Sequence, residues 1–299
     1  MTDILIVGTG ALATLFAARL SGAGHSVSML GSWKAGLEAL RQEGVHFVAS
    51  NGNEYRFNVQ VVRDSRDCQG LKFALVLVKA WQTERIAEQL KECLAENGLA
   101  VTLQNGLGNR ETLERSLGRS RVALGTTTTG ATLLGPGWVR EGGEGVISME
   151  RHLALGPIEE ALRSANFHVE IVEDAQSLLW GKLVINAAIN PLTAILRVPN
   201  GKLLELPSAR EMMKILAMET AHVARAEKIP LAFHDPVAAA EEVARKTAAN
   251  HSSMLQDVLR GAPTEIDAIC GAVVKIGEKH EIDTPMNWAC WKLIKAMGE

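Results

Sequence analysis

Residues 180–194, WGKLVINAAINPLTA, carry one ammonium and two amides in an otherwise apolar run: Lys182, Asn186 and Asn190, spaced four apart. On a helix the three share one face, drifting about 40° per step. Leu183, Val184, Ile185, Ala187, Ala188 and Ile189 cover the other faces, so the helix is predicted to be buried. A buried amide without a partner costs about 1–3 kcal/mol, so something polar must sit opposite the stripe. That partner is either another protein segment or a ligand. In the first case the amides tie helices together and Lys182 snorkels to solvent. In the second, the stripe lines a substrate site. Pro191 withholds an amide from the Ala187 carbonyl, which predicts a kink or an end there.

A second chemistry-bearing stretch is GTGALA, residues 8–13, which follows the aliphatic run ILIV. It fits the glycine-rich turn of a dinucleotide-binding βα unit. Gly8 permits the tight turn, Gly10 lets backbone approach a pyrophosphate, and Ala13 allows close helix-to-strand packing. Thr9, Ala11 and Leu12 complete the loop and helix start, whose free N–H groups suit phosphate. The plain alternative is a glycine-rich turn with no ligand. NAD sites usually carry an acid at the end of the second strand, to hold the ribose hydroxyls. Here that strand ends MLGSWKAG, with no acid. Lys34 could meet a 2′-phosphate and Ser32 could donate to it, which favours NADP. Lys34 could equally be a solvated loop lysine.

The elements that must position these groups fall into two textures. Ile4–Val7 and His25–Leu30 read as strands flanking a helix over Ala11–Ser21. Gly44–Phe57 reads as a hairpin about NGN. FALVLV at 73–78 is apolar throughout, as in a strand buried on both faces. An amphipathic helix over Glu84–Ala95 follows, then strand patterns at 99–106 and 122–131. This alternation predicts an α/β class: an N-terminal Rossmann-type, doubly wound sheet. From about Glu173 strand signals vanish, and helical stretches at 208–227, 236–260 and 264–280 predict an all-helical second domain. The expected domains are 1–172 and 173–299.

Bulk properties narrow the function classes. The 299 residues are 47% hydrophobic and 22% charged, as in an ordinary globular protein. A net charge of −3 gives no reason to expect nucleic acid or an anionic membrane as partner. Cys68, Cys93, Cys270 and Cys290 form no CxxC pair, so neither zinc nor another metal nor a disulfide framework is expected. They read as reduced thiols used as small apolar residues. The apolar N-terminus lacks the basic start of a signal peptide, since Asp3 stands there, and no run reaches the ~18 apolar residues of a membrane span. The cytoplasm is the expected compartment. Nothing in the sequence fixes the oligomeric state, and a homodimer is one of the states it allows.

Several segments are long and unusual enough to carry a resemblance that runs nearly end to end. They are GTGALA at 8–13, VKAWQT at 78–83, QNGLGN at 104–109, GTTTTGA at 125–131, the 181–194 stripe, PNG at 199–201, SSMLQD at 252–257 and TEID at 264–267. Together they resemble the ketopantoate reductase family. The resemblance implies NADPH-dependent reduction of ketopantoate (2-dehydropantoate) to D-pantoate, in the pathway to pantothenate and coenzyme A. It implies a Rossmann domain, a helical domain and an active site in the cleft between them. It makes Lys182 the proton donor and Asn186, Asn190 and Ser253 substrate contacts, with Asn200 a further substrate-side candidate. It lays Lys79, Asn105, Ala131 and Glu265 along the cofactor. One departure stands out: many members carry an arginine at the end of the second strand to grip the 2′-phosphate, where this chain has Ser32.

The implied chemistry is physically coherent. Hydride transfer builds negative charge on the ketone oxygen, which needs a donor placed in advance. Burial should lower the pKa of Lys182 from about 10.4 toward about 7–8, while Glu265 opposes the drop. The amides can donate to and accept from a substrate hydroxyl, and Ser253 can donate to a carboxylate. His251 reads as a solvated helix histidine. Two other readings stay open: reduction of a different 2-keto or 3-keto acid on the same fold, or a nucleotide sensor without turnover.

Overall fold

The computed structural model describes residues 1–298, which form two compact units. The first comprises Met1–Gln104 and Asn109–Ala175; the second comprises Asn105–Gly108 and the chain from Gln176 onward.

In the first unit β1 (Asp3–Val7) leads through α1 (Ala11–Gly22) to β2 (Ser26–Leu30) and α2 (Lys34–Glu43). A hairpin of β3 (Val45–Val48) and β4 (Glu54–Phe57) precedes β5 (Gln60–Val62) and β6 (Leu71–Val76). Then come α3 (Thr83–Cys93), β7 (Leu94–Thr102), α4 (Asn109–Leu117), β8 (Val122–Thr127), β9 (Ala131–Gly135), β10 (Trp138–Glu141), β11 (Val146–Glu150), α5 (Gly156–Ser164) and β12 (His168–Val172).

The main sheet has eight strands in the order β12-β11-β8-β7-β6-β1-β2-β5. All neighbours are parallel except β11 against β8. The unbroken apolar run ILIV is explained by two-faced burial. Ile4 and Ile6 pack into a core that includes Phe16 and Leu20 of α1 and Leu162 of α5. Leu5 and Val7 pack on the other face, with Ile86 and Leu90 of α3 and Leu113 of α4. Because β2 lies on one side of β1 and β6 on the other, the strand order reverses at β1. In doubly wound sheets, ligands gather at that switch point, outside the carboxyl ends of the strands.

A second, four-stranded sheet, β4-β3-β10-β9, is not foreseen by the sequence reading. The expected hairpin forms, with Val45 opposite Phe57, but β3 also pairs in parallel with β10, through His46 and Trp138. Val45, Phe47 and Val139 of this sheet share the core that contains α1. The pattern at 122–131 is two strands rather than one: β8 ends at Thr127, and Ala131 opens β9.

The expectation of four reduced thiols is corrected. Cys68 and Cys93 are joined in a disulfide, with Cα atoms 5.2 Å apart, while Cys270 and Cys290 are free and buried. The 25-residue separation hides the pairing. The fold creates it by returning α3 beside the short turn before β6, where the Gly70 amide also bonds the Cys93 carbonyl at 3.0 Å.

The second unit is helical: α6 (Ala175–Leu196), α7 (Lys202–Glu205), α8 (Pro207–Ala226), α9 (Pro236–Lys246), α10 (Ser253–Leu259), α11 (Cys270–Lys279) and α12 (Pro285–Ala296). An α/β sheet followed by an all-helical unit is the class read from the sequence. Two helical stretches differ in detail. The run 236–260 breaks at 247–252, where Thr247 and Asn250 make a turn, and the 264–280 run becomes helix only from Cys270. Pro191 does not end α6, which continues to Leu196. By length and composition α6 could cross a membrane, but 72% of its most apolar window is buried inside the protein, as in a core helix.

Candidate active site

The glycine loop fills the turn between β1 and α1, and its residues show why the sequence needs them. Gly8 has φ +134°, and a Cβ there would lie 3.2 Å from both the Ala13 Cβ and the Leu77 carbonyl. Strand end, loop and helix are therefore packed as closely as two small residues allow. Gly10 caps α1 without a side-chain partner, and a Cβ on it would meet nothing within 4 Å. Open space thus lies over backbone at a helix start whose amides carry no side-chain cap, as a pyrophosphate requires. Thr9 is buried, Ala11 and Leu12 half-buried, and no acid stands in the first turn of α1.

Three more predicted residues follow the carboxyl ends of the two parallel strands that flank β1. Ser32 and Lys34 come after β2, both exposed, with Lys34 opening α2. Half-buried Lys79 comes after β6 and caps a short 3-10 turn over Ala80–Gln82. Behind Lys79 lies a buried hydrogen-bond chain that the sequence reading missed. Thr102 Oγ1 donates to Gln104 Oε1 at 3.0 Å, and Gln104 Nε2 donates to the Val78 carbonyl at 3.0 Å and to Thr83 Oγ1 at 2.8 Å. Thr83 in turn donates to Asn109 Oδ1 at 2.8 Å. The polar letters of VKAWQT and QNGLGN thereby fix the segments that carry Lys79 and Asn105. Ala131 stands apart from this group, pairing with Glu141 in the small sheet.

In the second unit, α6 presents Lys182 and Asn186, both half-buried, and buried Asn190 among the buried Leu183, Val184, Ala187, Ala188 and Ile189. Part of Lys182 reaches solvent, yet protein atoms crowd its ammonium. Burial pushes its pKa down to about 8, against the opposing pull of the Glu265 carboxylate. Glu265 is itself buried and accepts from Asn105 Nδ2 at 3.3 Å. Asn105 is held by a turn docked on the segment after Glu265: the Leu107 amide bonds the Ala268 carbonyl at 2.9 Å. At Gly106, φ +79°, a Cβ would fall 2.5 Å from that same carbonyl oxygen, so only glycine fits. Lys182, Glu265 and Asn105, read from three distant motifs, thus belong to one constellation.

Ser253 is exposed at the first position of α10, while its neighbour Ser252 is buried and caps the helix, accepting from the Leu255 amide at 3.1 Å. Ser252 Oγ lies 2.7 Å from Thr193 Oγ1, which donates to the Asn190 carbonyl at 2.9 Å. That leaves Ser252 as the donor to Thr193, so one chain of hydroxyls ties the start of α10 to the polar stripe. The sequence signal for it was the doubled serine. Asn200 is buried, with Nδ2 donating to Thr247 Oγ1 at 2.8 Å and its amide bonding the Asn250 carbonyl at 3.0 Å. It therefore pins the turn that precedes Ser252. Its Oδ1 is buried without a partner.

A Rossmann-type α/β unit with a glycine-rich first turn, joined to an all-helical unit carrying a half-buried lysine, defines a class of two-part dinucleotide-fold proteins. Within that class the match is specific. Residues 4–153 match the family model described as ketopantoate reductase PanE/ApbA, and residues 174–298 match its C-terminal model. The chain belongs to the ketopantoate reductase family. It is 36% identical over 299 residues to a 2-dehydropantoate 2-reductase of Archaeoglobus fulgidus, covering 98% of this chain and 97% of that one. It is 34% identical to the 2-dehydropantoate 2-reductase of Vibrio cholerae, covering 99% and 98%. Among solved structures, a PanE/ApbA family ketopantoate reductase from Ralstonia eutropha superposes with a TM-score of 0.93 at 29% identity, covering 99% and 98%. A D-mandelate dehydrogenase solved with NADH and anilino(oxo)acetate shares the fold, with a TM-score of 0.93 at 24% identity and coverage of 99% and 98%.

Proposed function

We propose that this chain reduces the ketone of 2-dehydropantoate to the hydroxyl of D-pantoate with NADPH, and that Lys182 is the proton donor. The observation that carries the reading is the buried ammonium on α6, with a pKa of about 8, facing the charge of Glu265. The dinucleotide belongs on the backbone of residues 8–13, with Ser32, Lys34 and Lys79 beside it and Asn105, Ala131 and Glu265 further along. Bound there, a reduced nicotinamide supplies hydride to the keto carbon.

The chain's own residues do the remainder. Lys182 offers its ammonium to the ketone oxygen before the step, so charge that develops there meets a donor already in place. It then gives up one proton to that oxygen, and a pKa near 8 makes this transfer easier than from an unperturbed lysine. Glu265 keeps the amine protonated in surroundings that would otherwise strip it. Asn186 and Asn190 hold the substrate hydroxyl, and Ser253 donates to the carboxylate. Asn200 contributes on the substrate side by fixing the turn that leads into Ser253. Pantothenate and coenzyme A synthesis is the pathway this activity serves, and the cytoplasm is its compartment.

The test is NADPH oxidation with 2-dehydropantoate, run beside NADH and beside a panel of 2-keto acids. The panel includes an aryl keto acid, because the same fold occurs in a D-mandelate dehydrogenase. Preference for another acid would overturn the substrate assignment, and binding without any turnover would make the protein a sensor. Lys182→Ala should cut kcat by roughly 10²- to 10⁴-fold with NADPH affinity little changed. Asn190→Ala should raise KM for the keto acid; if only thermal stability moved, the amide would be a tie between helices.

A further inference from the structure

The end of β2 lacks both the acid that selects NAD and an arginine that would grip a 2′-phosphate, yet a guanidinium already stands there. Arg85, on α3, is exposed and reaches across to the β2 end, its Nη2 donating to Ser32 Oγ at 3.2 Å. Its Nη1 donates to Gln89 Oε1 at 3.1 Å. Both acceptors are neutral, so neither cancels the positive charge. Glu88, three residues along α3 from Arg85, accepts from Ser116 Oγ at 2.6 Å, and Glu38 of α2 is paired with Arg63 at 2.7 Å. Ser32 itself follows Gly31, where a Cβ would lie 2.8 Å from the Thr9 side chain, so the β2 end and the glycine loop are in contact. A group held at Ser32 is therefore held beside the loop, where a dinucleotide's adenosine ribose belongs.

We propose that Arg85 supplies the guanidinium that, with Ser32 and Lys34, binds the 2′-phosphate of NADPH, so that α3 rather than the end of β2 sets this chain's cofactor preference. The assignment rests on the reading of residues 8–13 as a dinucleotide loop. Geometry favours it in two ways. A planar guanidinium has five donors in a fork matched to phosphate oxygens, and only two contacts to neutral oxygens must be exchanged or shared. The Ser32 bond already holds the long side chain in the place required, so less freedom is lost when a dianion arrives. Lys34, one turn further at the start of α2, adds a second positive charge.

The experiment measures dissociation constants of NADPH and NADH by nicotinamide fluorescence, and of adenosine 2′,5′-bisphosphate and 5′-AMP by competition. Wild type, Arg85→Gln, Arg85→Lys and Ser32→Glu are compared, with kcat/KM for both cofactors read in parallel. Wild type should bind NADPH and the bisphosphate more tightly than NADH and 5′-AMP. Arg85→Gln should weaken NADPH and the bisphosphate by roughly 10- to 100-fold, while NADH and 5′-AMP shift less than about threefold. Arg85→Lys should restore part of the loss, and Ser32→Glu, which sets a carboxylate against the guanidinium, should turn preference toward NADH. Equal weakening of both cofactors, or no change for NADPH, would overturn the proposal. The binding arms decide this even if 2-dehydropantoate proves not to be the substrate, since they need no turnover.

Discussion

An acid catalyst works only in its protonated form, so under the role proposed for Lys182 the rate should follow the titration of its amine. With a pKa of about 8, the reduction rate should be level below that pH and fall by roughly tenfold per unit above it. The Glu265 carboxylate raises that pKa, so Glu265→Gln should move the falling limb to lower pH. Measuring kcat from about pH 6 to 10 checks both; a limb unmoved in the variant would detach Glu265 from the amine. Stability carries the opposite sign. The folded pKa, about 8, lies below the ordinary 10.5 of the unfolded chain, so the folded state releases its proton first. The buried ammonium thus costs stability below about 8, and the cost is relieved as pH rises from there to 10.5. Lys182→Met should accordingly raise Tm at neutral pH by roughly a few degrees while abolishing turnover. The stripe was legible because one cation and two amides at helical spacing contradict their apolar flanks. Arg85 was not, because nothing local marks one exposed arginine among many as the one that reaches 53 residues back.

Among the elements, the segments following β6 and β7 owe their shape to the Thr102–Gln104–Thr83–Asn109 chain. Thr83→Val keeps the shape of the side chain but removes the hydroxyl that accepts from Gln104 and donates to Asn109. It should lower unfolding free energy by about 1–3 kcal/mol in urea titration, with an unchanged m-value. An unchanged midpoint would mean that water replaces the hydroxyl. Strands of the main sheet could be read from sequence because burial on both faces leaves runs such as ILIV and FALVLV with no polar residue. Helix ends were less legible. Ala- and Glu-rich residues favour helix on either side of 247–252, yet Asn200 and Gly201 claim the backbone of that turn from outside it. Pro191 was expected to kink or end α6; the helix does not end there, since a segment this thoroughly packed remains helical to Leu196 despite one missing amide bond.

For the molecule as a whole, the order of textures along the chain sufficed for the class, an α/β sheet and then helices. The small sheet did not show, because its pairing of β3 with β10 joins residues about ninety apart and its buried face shares a core with α1 rather than repeating a local pattern. The Cys68–Cys93 bond was hidden for the same reason, and it removes cysteine usage as an argument for a reducing compartment. Thiol titration of the denatured chain should find two groups without reductant, Cys270 and Cys290, and four after reduction. Four at the outset would show the pair to be thiols.

Residues 105–108 have a practical corollary for anyone dissecting the protein. They are spelled within the first half of the sequence but folded as part of the second. A fragment beginning at Gln176 would lack Asn105 and leave the Ala268 carbonyl without its amide donor. Gene halves cut at that junction would therefore yield one piece with a dangling tetrapeptide and another with a hole, and restoring the helical piece alone would require grafting those four residues back.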